Sequence, residues 1–130
     1  MSKLLDRLFL GKIYRNRNNV LIGYITLSCD SVKLKGELKN LFNKKCSYQF
    51  IPSLKIARLC VDNNYLKQGI GSLMIKFSIE KANLILNQAG CRLISLDSKK
   101  SSVEFYKKNK FKLLKESRLS LMYLYINPEF

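Results

Sequence analysis

Apolar positions crowd together over "VLIGYITLS", residues 20–28, where β-branched and aromatic types dominate, and the stretch predicts a strand. A second, mostly buried strand is predicted over "LKIARLCVD", residues 54–62, which follows Pro52 and ends at Asp62. "CRLISLD", residues 91–97, reads as a third strand, and "FKLLKE" with "RLSLMYLYI" closes the chain as a hairpin. Between these runs the period lengthens to that of a helix. Residues 37–43, "ELKNLFN", space Leu38, Leu41 and Phe42 helically, and "KLLDRLFL", residues 3–10, reads as a short helix. The strongest helix spans residues 69–88, with Ile70, Leu73, Met74 and Phe77 on one face and Ala82, Ile85, Leu86 and Ala89 continuing the stripe. Gly90 is a natural stop for it. "SSVEFYKKN", residues 101–109, predicts a further helix with Ser101 or Ser102 as N-cap. The main succession β, β, α, β, α, β, β after a weak first helix is an α/β domain on a mixed sheet, with a β-α-β crossover from residue 54 to 97. Neither an internal repeat nor a low-complexity linker divides it, so residues 1–130 are read as a single domain.

Composition narrows the chemistry. The chain has no histidine, which excludes a Cys/His zinc site and every mechanism built on a histidine base, and no metal is expected. Cys29, Cys46, Cys60 and Cys91 form no C-x-x-C, so they are expected as free, mostly buried thiols of a cytoplasmic protein. No apolar run approaches the roughly 20 residues that span a bilayer, so no membrane partner is expected. Asp6 interrupts the one short apolar stretch near the start, which does not read as a signal peptide. The 24 basic and 9 acidic residues leave a net charge of +15, which favours an anionic partner, nucleic acid or a phosphorylated cofactor. A lysine-rich composition without a function is the competing reading, since the lysines spread along the whole chain.

The stretch "NNYLKQGIGSLM", residues 63–74, places Gly69 and Gly71 at the start of the longest helix. A helix N-terminus offers unpaired N–H groups and partial positive charge, and glycines let an anion come close. The spacing is not the dinucleotide G-x-G-x-x-G, because Met74 stands at its last position, and no G-K-[ST] follows. In wider context, "IARLCVDNNYLKQGIGSLM" resembles the segment of the GNAT family of N-acetyltransferases in which a strand runs into a Q/R-x-x-G-x-G/A loop. "LDSKKSSVEFYKKNKFKLL" is similar to that family's later strand, its helix carrying "FY", and its "GF". "GYITLS" and "RLCVD" look most like the toxin-type branch, which reads "GYYTLS" and "RLAVD" and acetylates aminoacyl-tRNA. The likeness covers about residues 20 to 115. Leu66 stands where the family has the first Q/R, and Lys110 where it has glycine. Only 22 residues precede "GYITLS", against a first strand and two helices in the family, so a GNAT-like fold with a shortened N-terminal part is implied.

The resemblance implies acetyl-CoA as co-substrate. Its pantetheine arm would pair with the strand near Leu59, Cys60 and Val61, and its pyrophosphate would sit on the loop formed by Leu66, Lys67, Gln68, Gly69, Ile70, Gly71 and Ser72. Tyr106 matches the family tyrosine that protonates the leaving thiolate, while Phe105 reads as core. Amines differ in readiness: an α-amine titrates near 8 and is partly neutral at pH 7, whereas a lysine amine titrates near 10.4 and needs a base. No carboxylate stands in an evident base role, which points to a low-pKa acceptor such as aminoacyl-tRNA, ahead of a small amine or a protein amino terminus. Lys99, Lys100, Lys107, Lys108, Lys110 and Lys112 surround Tyr106 in sequence and read either as a phosphate-tracking surface for that RNA or as a solvated face; Arg15, Arg17, Lys44 and Lys45 add to the charge. An antitoxin and a homodimer that covers the short N-terminal side are the further partners implied. The alternative left open by Leu66, Lys110 and the short start is a degenerate, non-catalytic domain that binds nucleic acid or a protein partner.

Overall fold

The computed structural model describes residues 10–42 and 48–126. Besides two 3-10 turns, Asn63–Tyr65 and Lys100–Ser102, nine strands and α-helices are described: β1 (Leu10–Arg15), β2 (Leu21–Lys33), α1 (Gly36–Leu41), β3 (Phe50–Val61), α2 (Ile70–Ala89), β4 (Leu93–Ser98), α3 (Val103–Lys108), β5 (Lys112–Glu116) and β6 (Ser120–Tyr125). The strands form one mixed sheet in the order β1-β2-β3-β4-β6-β5. Every neighbouring pair is antiparallel except β3 and β4, which are parallel because the crossover helix α2 connects them. The expected crossover and terminal hairpin are therefore present.

Alternation along each strand decides what covers the sheet. Ile25, Leu27, Leu54, Ile56, Ile94, Leu96 and Met122 point to one face, where Met74, Ile75 and Ala82 of α2 and Tyr106 of α3 close the larger core. On the other face Val32, Ile51, Leu93 and Tyr123 pack against Leu38 of α1. That second core occupies only one end of its face. The helix α2 ends at Gly90, whose φ of 63° is left-handed, the conformation that glycine adopts without steric cost.

Several expectations are corrected. Leu10 opens a strand, not the end of a helix; residues 3–9 of that expected helix lie outside the described residues. The strand is an exposed edge, so its side chains lack the apolar alternation that marks a half-buried one. Strand β3 begins at Phe50 and takes in Pro52; pairing with β4 starts at Ser53, beyond the proline. Neither Ser101 nor Ser102 caps α3 with its side chain: a 3-10 turn, Lys100–Ser102, leads into the helix instead. The thiols are not mostly buried, since Cys29 and Cys60 are exposed and only Cys91 is buried, while Cys46 lies outside the described residues.

Candidate active site

The parallel pairing of β3 with β4 lasts three residue pairs, from Ser53 with Leu93 to Lys55 with Ser95, and then stops. Both strands continue, β3 to Val61 and β4 to Ser98. The cause lies on the other side of β3. Its register against β2 passes from Ile56 opposite Leu27 to Arg58 opposite Thr26, so Ala57 is the extra residue of a bulge. A bulge bends its strand and increases the local twist, and here it comes two residues after the last β3–β4 pair. The result is a wedge with one wall formed by Ile56–Val61, whose second backbone edge faces no strand. Unpaired strand edges hydrogen-bond to an extended ligand. Leu59 and Val61 turn toward the α2 core, and Cys60 turns to the opposite face.

At the end of β3 the chain is held firmly. Asp62 N–H donates to Ile22 carbonyl at 2.7 Å, and its carboxylate accepts from Asn64 N–H at 2.8 Å. Asn16, in the β1–β2 turn, donates to the Tyr65 hydroxyl at 2.8 Å. Leu66 follows in extended conformation and is exposed, Lys67 is left-handed with φ 62°, and Gly69 is left-handed with φ 80° as N-cap of α2. The first backbone bond of α2 runs from Leu73 N–H to Gly69 carbonyl at 3.0 Å. Helix geometry therefore leaves the amides of Ile70, Gly71 and Ser72 without an intrahelical acceptor. Among the described residues no side chain caps them, and no acidic residue stands in the first turn of this 20-residue helix, whose N-terminus carries partial positive charge.

The two glycines have different reasons. Gly69 supplies a backbone conformation, and a Cβ there would meet nothing within 4 Å. Gly71 supplies space: a Cβ would lie 2.8 Å from Phe105 Cζ and 3.0 Å from Phe105 Cε1. Phe105 is thus more than core filler, because it seats α3 on the first turn of α2. Gly23 makes a third close approach, where a Cβ would lie 2.5 Å from both Cys60 carbonyl and Met74 Cε. Sequence reasoning passed over Gly23, although a lone glycine inside a strand signals such contact.

Tyr106 is buried beside Phe105 and Phe111, with ring centroids at 5.0 and 5.7 Å in edge-on geometry. Burial pushes its phenol above the usual tyrosine value, and Cys60 adds to the rise. Tyr106 belongs to the core against which Leu59 and Val61, of the wedge wall, are packed. Its hydroxyl makes no hydrogen bond to another described residue, yet the sealed, unpartnered polar atom among the described residues is Ser120 Oγ. Burial keeps the Tyr106 phenol protonated, as a donor, at neutral pH. All six lysines from Lys99 to Lys112 are exposed, and among the described residues only Lys107 has an acidic partner within reach, Glu104 at 3.9 Å. Lys110 is left-handed with φ 76°, at the C′ position of α3, where Phe111 N–H donates to Tyr106 carbonyl at 3.0 Å.

A sheet that opens its one parallel pair beside an uncapped helix end is the architecture of the N-acetyltransferases that use acetyl-CoA. The model of the acetyltransferase (GNAT) domain matches residues 11–113, more than half of the chain, and the chain belongs to that family. A sequence comparison with curated proteins finds no match. Among solved structures, AtaT complexed with acetyl-methionyl-tRNAfMet has a TM-score of 0.79 at 19% identity, covering 93% of this chain and 73% of that one. A tyrosine-to-phenylalanine mutant of KacT gives a TM-score of 0.78 at 20% identity, covering 92% and 72%. AtaTR bound with AcCoA gives a TM-score of 0.73 at 18% identity, covering 93% and 72%. No helix among the described residues is long and apolar enough to cross a membrane.

Proposed function

We propose that this acetyltransferase transfers the acetyl group of acetyl-CoA to the α-amine of aminoacyl-tRNA. The observation that carries the reading is the wedge that opens beyond Lys55 and Ser95, next to the free amides of α2. An extended pantetheine arm fits the free edge of Ile56–Val61, around Leu59, Cys60 and Val61. The pyrophosphate fits the amides of Ile70, Gly71 and Ser72, with Lys67 and Gln68 beside them. Attack by a neutral amine on the thioester builds negative charge on the carbonyl oxygen, which strand amides near Val61 stabilise. Collapse breaks the C–S bond and releases a thiolate, Tyr106 gives it the proton, and the proton shed by the attacking nitrogen as the amide forms restores the phenol.

The acceptor rests on three supports: the absence of histidine, which favours an amine that is already partly neutral at pH 7; the exposed lysines around Tyr106; and likeness of fold to AtaT, solved with an acetylated aminoacyl-tRNA. A toxin role restrained by an antitoxin belongs to the same reading, since AtaT is also solved bound to the C-terminus of the antitoxin AtaR. The test has two parts. Acetyl-CoA at saturation should raise the melting temperature, and labelled acetyl should pass from acetyl-CoA to charged tRNA but not to uncharged tRNA. No thermal shift would return the chain to the non-catalytic alternative. A shift with transfer only to protein lysines would replace the acceptor.

A further inference from the structure

The helices α2 and α3 cover one face of the sheet, and α1 covers one end of the other. The remainder of that second face, level with the wedge, is left open by every described helix. Strand register shows what lies there. Ile13, Tyr24 and Cys60 are paired across β1, β2 and β3, and Gly11, Thr26 and Arg58 form the next row. Cross-strand partners share a face. Apart from Gly11, each member of these rows lies one residue from a side chain that points into the α2 core, so both rows point away from it. Ile13 is 59% exposed, Arg58 and Cys60 are exposed, and Tyr24 is half-buried at the centre of its row. Gly11 leaves the Thr26 flank open.

We propose that this patch docks the single-stranded 3′ end of the acceptor RNA, with an unpaired base stacked on the Tyr24 ring and its phosphate held by Arg58. The proposal deepens the aminoacyl-tRNA reading and rests on it. An aromatic ring on an open sheet face, flanked by an arginine, is the arrangement on which splayed bases stack. Charge agrees: on the described strands the acidic side chains of this face, Asp30 and Asp97, are both held by Lys55, at 3.5 and 3.1 Å, and Glu37 belongs to α1 at the far end. Threading agrees as well. A cofactor whose pyrophosphate lies at α2, on the covered face, and whose arm passes through the wedge delivers its thioester toward the Cys60 side. A terminal nucleotide stacked on Tyr24 therefore carries its aminoacyl group to the thioester.

The test compares wild type, Tyr24→Leu, Tyr24→Trp and Arg58→Glu on three readouts: acetylation of charged tRNA, acetylation of methionine methyl ester, and binding of a labelled single-stranded RNA ending in CCA. Tyr24→Leu should raise KM for charged tRNA and Kd for the oligonucleotide by about ten- to a hundredfold, with KM for the ester unchanged. Tyr24→Trp should restore both. Arg58 is exposed, so Arg58→Glu serves as the variant that keeps the fold, and it should weaken oligonucleotide binding tenfold or more. Equal effects of Tyr24→Leu on ester and tRNA, or oligonucleotide binding indifferent to both Tyr24→Leu and Arg58→Glu, would overturn the platform. Oligonucleotide binding that depends on Tyr24 without transfer to charged tRNA would leave the platform standing and remove the acceptor reading instead.

Discussion

Tyr106 and Lys110 sit four residues apart and are shaped by the same short helix. The Tyr106 hydroxyl keeps its proton because burial raises its pKa, which suits a general acid that must be protonated at neutral pH. Tyr106→Phe should lower kcat by about 10²- to 10⁴-fold while leaving the acetyl-CoA thermal shift in place; a loss under threefold removes the acid role. The same raised pKa links to stability. Its contribution is fully present below the ordinary tyrosine value near 10 and is lost as pH rises through the higher folded value. Thermal melts of Tyr106→Phe should therefore decline less steeply than wild type above about pH 10. Lys110 poses a backbone problem. A residue with a Cβ at φ 76° costs about 1 kcal/mol against glycine, so Lys110→Gly should raise the melting temperature by about 3 °C. An unchanged melting point would mean that contacts of the lysine offset the strain. The sequence already marked this position as one where the family has glycine, and the geometry explains why.

At the scale of elements, the decisive joint is the first turn of α2 against α3. Gly71→Ala puts a methyl into the Phe105 ring, and overpacking of that kind costs about 1–3 kcal/mol. Because Phe105 precedes Tyr106, the displacement should lower kcat as well as the melting temperature. Phe105→Leu in the same chain should recover part of the stability, and failure of the pair to couple would dissociate the glycine from the ring. The loop before α2 offers the opposite experiment. Leu66 is 52% exposed and donates nothing from its side chain, so Leu66→Arg should tighten acetyl-CoA about tenfold, the worth of a charge-assisted bond. What the sequence disclosed and what it hid divide along these lines. Helix α2, the crossover and the terminal hairpin were legible because their periodicity records burial on one face. Strand β1 was hidden because an edge strand has no such record, and the Ala57 bulge because its cause is the register of two strands distant in sequence. The glycines were legible as a pair, yet their separate duties depend on where Phe105 falls, which no local pattern states.

Across the whole molecule, charge and architecture divide the surface into two ends of one path. The lysines Lys99, Lys100, Lys107, Lys108, Lys110 and Lys112 line the connection from β4 through α3 to β5, on the far side of the wedge from the Tyr24 row. An RNA end reaching the wedge from the open face would have its phosphates near these cations, and each neutralised phosphate releases counterions. The logarithm of the binding constant should then fall linearly with the logarithm of salt, by about 0.7–0.9 per contact. Lys107 shares its charge with Glu104 at 3.9 Å, so Lys99, Lys100 and Lys108 are the sharper choice for substitution. Replacing these three with glutamine should reduce the slope for tRNA by about 2. Acetyl-CoA must be measured alongside, because its own phosphates respond to the same lysines. If the slope for tRNA stays unchanged while that for acetyl-CoA falls, the cluster serves the cofactor alone. If neither moves, the cluster is a solvated face and the RNA approaches from elsewhere. A drop in the tRNA slope, together with an unchanged KM for a small ester, would place the RNA on the path between the lysines and the thioester.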